Sequence, residues 1–501
     1  MADAQDRNLR SLLILSFLFF LYAFRLFLIG HLQLAPDEAC YWYWSKHLDL
    51  SYVDHPPMVA YIIALFTRIG GDNEFAVRLG GLLCTLISQV FLFLAVRNLN
   101  GNVPGLAWEV LFVFNLTLLL AGGCVIQTPD TPLLLFWTIA FYGCARVITG
   151  GGRRWWYLSG LALGFGLLSK YTMVLLIPCV FAFLLSSDEH RHRLSRKEPY
   201  LATLLGAILF CPVLLWNLQH RWVSFAFHRA QAFSPVGKPV ALKLLEYAGG
   251  QIGVVTPLLF FAFVTYSVWG CLLARQRKIT EYRYMAMLSW PILLFFGTTT
   301  VIGEVAEPNW PAPAYISGLS LMWIVYRRHF HPTRKHRRFM QTAVGLALIV
   351  NLLIYVHLVK PVLPVPESMD TTWQLHGWRE LGKKIQALIE EHPCEEGYFL
   401  VGKGPPTVAE LVFYTDHRYT GLDFTRPSRY TFLRSVDRLK GKNAIILSLD
   451  SSEATLEEVS RYFEEVAVLG KNRYYHRGEI LDRLSFTFLL GKGFRGNWHP
   501  L

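Results

Sequence analysis

Long apolar runs alternate with short polar, charge-bearing connections over the first 360 positions, and then the alternation stops. Apolar segments recur near residues 11–30, 76–97, 103–121, 124–148, 155–168, 171–186, 199–217, 252–274, 281–302, 312–327 and 339–359. Roughly 20 residues cross the hydrocarbon layer as a helix, so this pattern predicts about eleven crossings, two of them short. After Lys360, "KPVLPVPE" is a proline-rich linker. Apolar residues then return in short runs of a different period. "GYFLVGKG" and "NAIILSLD" predict strands, "TVAELVFYT" and "SEATLEEVSRYFEEVAVL" helices, and "LSFTFLLGKGF" a final strand. The expected organisation is a membrane domain over 1–360, whose first external loop at 31–75 carries juxtamembrane helices, and a soluble extracytoplasmic α/β domain over 361–501.

Charge sharpens this picture. "RNLNGN", "ARVITGGGRRWW", "DEHRHRLSRKEP", "ARQRKITEYR" and "YRRHFHPTRKHRR" hold most of the membrane domain's Lys and Arg, and they occupy every second connection. Basic loops stay in the cytoplasm, so the N-terminus is expected inside and the C-terminal domain outside. The first apolar run follows Arg7 and Arg10 and has no small-x-small cleavage site, which reads as an uncleaved helix. The chain is 53% hydrophobic and 17% charged, where a soluble protein carries about a quarter charged residues. Its formal net charge of +12 is explained by topology rather than by nucleic acid, because the cations sit at the ends of apolar runs. Most of the eight cysteines lie in or beside apolar segments and read as small buried residues. No Cys/His spacing points to zinc, and "VGKGPP" lacks the Ser or Thr of a P-loop.

The unusual polar residues fall on the side opposite the basic loops. Asp37 and Glu38 follow the first span, beside the aromatic run that begins at Tyr41. Asp54 and His55 end the first loop, Arg78 opens the second span, and Asp130 starts the fourth. Lys170 lies between two short helices, and Glu304, Glu307, Asn309 and Trp310 follow the ninth span. Ionisable groups at membrane depth are costly and count as functional candidates. Each also has a plainer reading: Asp37 and Asp130 as helix caps, the aromatics as an interfacial belt, Lys170 as a snorkelling side chain, His55 as a structural imidazole. Their joint occurrence on one face favours a site, and they are expected to meet in one external cavity.

"PDEACYWYW…YVDHPP", "QTPDTPLLLFW", "GFGLLSKYT" and "EPNWPAPAY", in that order, resemble the bacterial branch of the protein O-mannosyltransferase and lipid A aminoarabinose transferase superfamily over about residues 30–330. The resemblance implies a polytopic α-helical membrane protein of GT-C fold in the bacterial inner membrane, with a C-terminal extracytoplasmic α/β domain. It implies an inverting glycosyltransferase that takes sugar from a polyprenyl phosphate, such as undecaprenyl phosphate. The acceptor would be a hydroxyl or phosphate of an envelope glycolipid or glycan such as lipid A or lipopolysaccharide core.

By the same resemblance Asp37 is the base, Glu38 positions the acceptor, and Asp130 orients sugar or acceptor hydroxyls. Lys170, then His55, then Arg78 hold the donor phosphate, while Asp54, Tyr41, Glu307, Asn309 and Trp310 line the substrate pocket. The aminoarabinose transferases carry acid-Lys-Pro where this chain has Asp54-His55-Pro56, which argues against aminoarabinose as the sugar. No cofactor is obligatory, and a divalent cation on Asp54, His55 and Glu307 is left open. The other readings are a protein O-mannosyltransferase-like enzyme, a transporter or flippase for a lipid-linked saccharide, and a surface-polysaccharide polymerase or ligase. Transporters concentrate polar residues near the midplane, whereas these acids lie at one membrane edge. The expected partners are the lipid-linked donor, the envelope acceptor and the bilayer, with no nucleic acid.

Overall fold

The computed structural model of the chain describes residues 2–101, 103, 105–232, 237–303, 307–365, 370–402, 404–423, 436–448, 453–476, 479–480 and 485–497. Every expected apolar segment contains a helix. The chain opens with α1 (Ala2–His31), α2 (Pro36–Ser45), α3 (Met58–Gly70) and α4 (Glu74–Leu99). Then come α5 (Leu106–Asn115), α6 (Leu118–Gly123), α7 (Asp130–Ile148), α8 (Arg154–Leu167) and α9 (Leu176–Ser186), the last preceded by a 3-10 turn over Tyr171–Leu175. α10 (Glu198–Gln219), α11 (Val223–Ala232), α12 (Val240–Val255), α13 (Pro257–Gln276), α14 (Thr280–Met287), α15 (Trp290–Ile302), α16 (Ala312–Val325) and α17 (Arg334–Val359) complete the helical part.

Among the described residues, seven stretches are long and apolar enough to cross a membrane: Asn8–His31, Glu74–Leu99, Asp130–Ile148, Glu198–Gln219, Pro257–Gln276, Thr280–Ile302 and Arg334–Val359. The four remaining segments of the expected set are shorter, and their interruptions are local. Thr117 breaks the run at 103–121, its hydroxyl accepting the Leu120 N–H at 3.4 Å and so capping α6.

The chain forms two compact units. The first comprises Met1–Ile29, Asp54–Val59 and Arg78–Ile354; the second comprises Gly30–Val53, Ala60–Val77 and Tyr355–Leu501.

In the first unit, small residues set the closest helix approaches. A Cβ on Gly160 of α8 would lie 2.5 Å from the Ala202 carbonyl of α10, and one on Gly206 of α10 would lie 2.7 Å from Leu163. Lipid tails are as apolar as the core, so such van der Waals contact is what drives these helices together. A polar thread also joins α1, α4 and α5. Buried Arg25 donates to Asn115 Oδ1 at 2.7 Å, Asn115 donates to Gln89 Oε1 at 2.6 Å, and Gln89 donates to the Tyr22 hydroxyl. Hydrogen bonds offset the cost of placing an arginine among apolar helices.

The second unit holds a five-stranded sheet of β1 (Tyr398–Val401), β2 (Gly421–Leu422), β3 (Asn443–Ser448), β4 (Phe463–Asn472) and, after the short pair β5 (Tyr475–His476) and β6 (Glu479–Ile480), β7 (Phe486–Phe494). The order is β2-β1-β3-β7-β4, with β2, β1 and β3 parallel and β7 antiparallel to both β3 and β4. Helices α18 (Trp378–Glu391), α19 (Pro405–Tyr414) and α20 (Glu453–Ser460) accompany it.

One expectation fails here. "SEATLEEVSRYFEEVAVL" is not one helix: α20 stops at Ser460, and the second half pairs as β4 along β7 from Phe463↔Phe494 to Asn472↔Phe486, with a register shift between Val468 and Gly470. The sequence "FEEVAVLGKN" has its acids at one end and β-branched residues after them, and strand pairing overrides the helical preference of glutamate.

Candidate active site

In the first unit, three of the expected residues converge. Asp130 heads α7, where the helix dipole favours a carboxylate. Lys170 has an extended backbone between α8 and the 3-10 turn, and its N–H closes on the Gly166 carbonyl at 2.9 Å. This bend turns the buried side chain onto Asp130, with Nζ 2.8 Å from Oδ1 and 2.9 Å from Oδ2. Asn309 Nδ2 donates to Oδ2 at 2.6 Å. The carboxylate therefore accepts three donors, and the ammonium keeps one of its three N–H groups for another acceptor.

The Met58 N–H donates to the Leu168 carbonyl at 2.9 Å, which ties the end of "DHPP" to the turn that bears Lys170. Half-buried Asp54 and His55 lie there. Sequence reasoning passed over His228 of α11, whose ring centroid is 6.2 Å from that of His55 and 5.2 Å from that of Tyr171. Tyr171 in turn shares a hydrogen bond of 2.7 Å with Ser224, one turn before His228. Burial holds the His228 imidazole below its ordinary value; a hydrogen bond at the Asp54 backbone opposes this and the Lys170 charge adds to it. Nothing in the local string "FHRAQ" marks this position. Only the return of α11 against the first loop exposes it.

Other expected members have contacts of their own. Arg78 is buried and donates to the Ile29 carbonyl at 3.3 Å, so it braces α1. Glu307 is exposed, its carbonyl accepting the Trp310 N–H, while the Trp310 ring packs 5.9 Å from that of Phe296. Glu304 lies outside the described residues. Asp54, His55 and Glu307 are not assembled as a ligand set: among the described residues no three His, Cys, Asp or Glu side chains converge in a way that could hold a metal ion.

Asp37, Glu38 and Tyr41 belong to the second unit. All three sit on α2, which starts at Pro36, a residue suited to a first helical turn. Asp37 is exposed. Glu38 is fully buried, and its carboxylate accepts the Ala35 N–H at 2.9 Å, reaching back over its own helix start. Tyr41 is buried with its ring centroid 5.2 Å from that of Trp44. The α2 turn thus presents one carboxylate outward and fixes itself with the next.

The family model described as dolichyl-phosphate-mannose-protein mannosyltransferase matches residues 54–216. Lipid A galacturonosyltransferase RgtD of Rhizobium johnstonii is 28% identical over 387 residues, covering 76% of this chain and 77% of that protein. An undecaprenyl phosphate-α-4-amino-4-deoxy-L-arabinose arabinosyl transferase of Edwardsiella ictaluri is 28% identical over 210 residues, 38% of this chain and 37% of that one. Crystal structures of ArnT from Cupriavidus metallidurans superpose with TM-scores of 0.62 in the apo state and 0.60 with undecaprenyl phosphate bound, each at 14% identity over 95% of this chain and 97% of ArnT. At that identity the likeness is one of fold, and it extends over both units. By sequence the chain is similar to these named glycosyltransferases, and by fold it is similar to ArnT.

Proposed function

We propose that the chain transfers a sugar from undecaprenyl phosphate to a hydroxyl or phosphate of lipid A, or of the adjoining lipopolysaccharide core, with inversion at the anomeric carbon. The observation that carries this reading is the buried Lys170–Asp130 pair braced by Asn309, a cation held ready among apolar helices. An isoprenoid phosphate brings an anion into such surroundings and needs a donor already desolvated and oriented. The match to RgtD over about three quarters of both chains supports lipid A as acceptor and galacturonic acid as sugar. His55, in place of lysine, supports a sugar other than aminoarabinose. The basic connections support an N-terminus in the cytoplasm and a C-terminal domain in the periplasm, which an alkaline phosphatase reporter fused after Leu501 tests by its activity.

In the reaction, the acceptor oxygen forms a bond to the anomeric carbon while the bond from that carbon to the phosphate oxygen breaks. Undecaprenyl phosphate leaves with the electron pair. Asp37, exposed at the start of α2, takes the proton of an acceptor hydroxyl. Glu38 keeps the turn in shape. The free ammonium N–H of Lys170 meets a phosphate oxygen, with His55 as the second donor, and Asp130 and Asn309 hold that ammonium in place.

Purified enzyme given lipid A and a set of undecaprenyl phosphate sugars is expected to form galacturonosyl product by mass spectrometry, and none with the aminoarabinose donor. Asp37→Asn should lower turnover about a hundredfold or more with the protein still folded in membranes. Retained turnover removes Asp37 as the base. The match to the mannosyltransferase model favours one second reading, mannose transfer to protein hydroxyls; the mannosyl donor with an unfolded periplasmic protein as acceptor tests it.

A further inference from the structure

Helix α2 bears Asp37 and Glu38, and inside the second unit it is gripped from the C-terminal domain at its beginning, middle and end. At its beginning, the Leu34 N–H, three residues before Asp37, donates to the Tyr414 hydroxyl at 2.8 Å. That hydroxyl donates onward to Glu74 Oε1 at 3.1 Å, and Arg379 Nη2 reaches the same oxygen at 2.6 Å. The adjacent Gln33 accepts the Trp378 and Arg379 N–H groups at 2.8 and 3.2 Å, which caps α18. In the middle, the Trp42 ring meets Phe413 edge-on at 4.9 Å and its indole N–H donates to Asp72 at 2.8 Å. At the end, the buried Tyr43 hydroxyl donates to the Gly421 carbonyl at 3.3 Å and accepts the Gly421 N–H at 3.1 Å.

This is a large set of bonds for a surface loop. A helix of ten residues is too short to hold its own shape in water. Pro36 removes one of its donors and Glu38 satisfies another. Its direction is therefore set by what it packs on, and that is α19, β2 and the start of α18.

We infer that Tyr414 is a positioning residue for the transfer reaction: through the Leu34 N–H it fixes the turn that aims Asp37, and Glu74 with Arg379 fixes Tyr414. This rests on the reading of Asp37 as the base. Loss of the hydroxyl frees the turn without disturbing the ring, which packs 5.0 Å from Phe413. A misdirected base slows the chemical step and leaves recognition of the donor phosphate intact, because the donor is held by other groups.

The test uses the full-length enzyme in lipid nanodiscs and the variants Tyr414→Phe, Asp37→Asn and the double variant. Tyr414→Phe is expected to lower kcat about tenfold with the donor KM changed less than twofold. Hydrogen–deuterium exchange should quicken in the peptide over 32–40 and stay as in the parent over β1, β3 and β7. The double variant should be no slower than Asp37→Asn alone, since both act on one carboxylate. A Tyr414→Phe enzyme with parental kcat overturns the proposal. So does faster exchange across the whole sheet, which marks a structural role. If Asp37→Asn keeps its turnover, the base assignment falls, and Tyr414 is then judged by the kcat-to-KM split and the exchange at 32–40.

Discussion

At the scale of single residues, the buried Lys170–Asp130 pair makes the sharpest demands. Breaking a buried pair from one side leaves an uncompensated charge and costs about 3–5 kcal/mol, whereas removing both charges costs far less. Lys170→Met should therefore lower the unfolding midpoint markedly, and Lys170→Met with Asp130→Asn should recover most of it while remaining inactive, as thermal melts in detergent can show. His47, just beyond α2, gives a pH signature. Burial, with the Arg438 charge, pushes its imidazole down to about 4. The unfolded chain binds that proton near the ordinary 6.5, so stability is full above pH 6.5 and is lost as pH falls towards 4. His47→Gln should flatten that part of a stability-versus-pH curve. Asp130, Lys170 and Asn309 could all be named from the sequence, since polar groups inside apolar runs announce themselves. His228 and Tyr414 could not, because each owes its place to a return of the chain over 170 residues or more after the segment it touches.

Among the elements, helices were legible and strands less so. The apolar period marks every helix of the expected set, because nothing but a satisfied backbone survives in lipid. What the period does not carry is where a run breaks: Thr117 and the 3-10 turn at Tyr171–Leu175 both shorten segments that composition leaves continuous. In the C-terminal sheet, β4 was hidden by its glutamates, and α18 was not anticipated. The small residues of α8 carry a clear expectation. Gly160→Ala should cost about 1–3 kcal/mol, since its Cβ would press on backbone at Ala202, whereas Gly345→Ala, inside α17, faces open space and should melt no lower than the parent. Comparing the two melts checks whether close approach, rather than helix propensity, is what the glycine provides.

Across the whole molecule, the sequence divides at a proline-rich linker near 360, but the compact units do not follow chain order. Residues 30–53 and 60–77, which the sequence presents as a loop of the membrane part, pack with the C-terminal sheet. That partnership is written nowhere locally: Leu34 and Tyr414 are joined by a single hydrogen bond across 380 positions. It also has a consequence for biosynthesis. The segment bearing Asp37 leaves the ribosome early, while the surface that shapes it begins some 300 residues later. At ~5–20 residues per second, synthesis alone separates the two by about 15–60 s. Through that interval α2 has no C-terminal surface to pack on, so the shape of its turn waits on the folding of residues translated long after it.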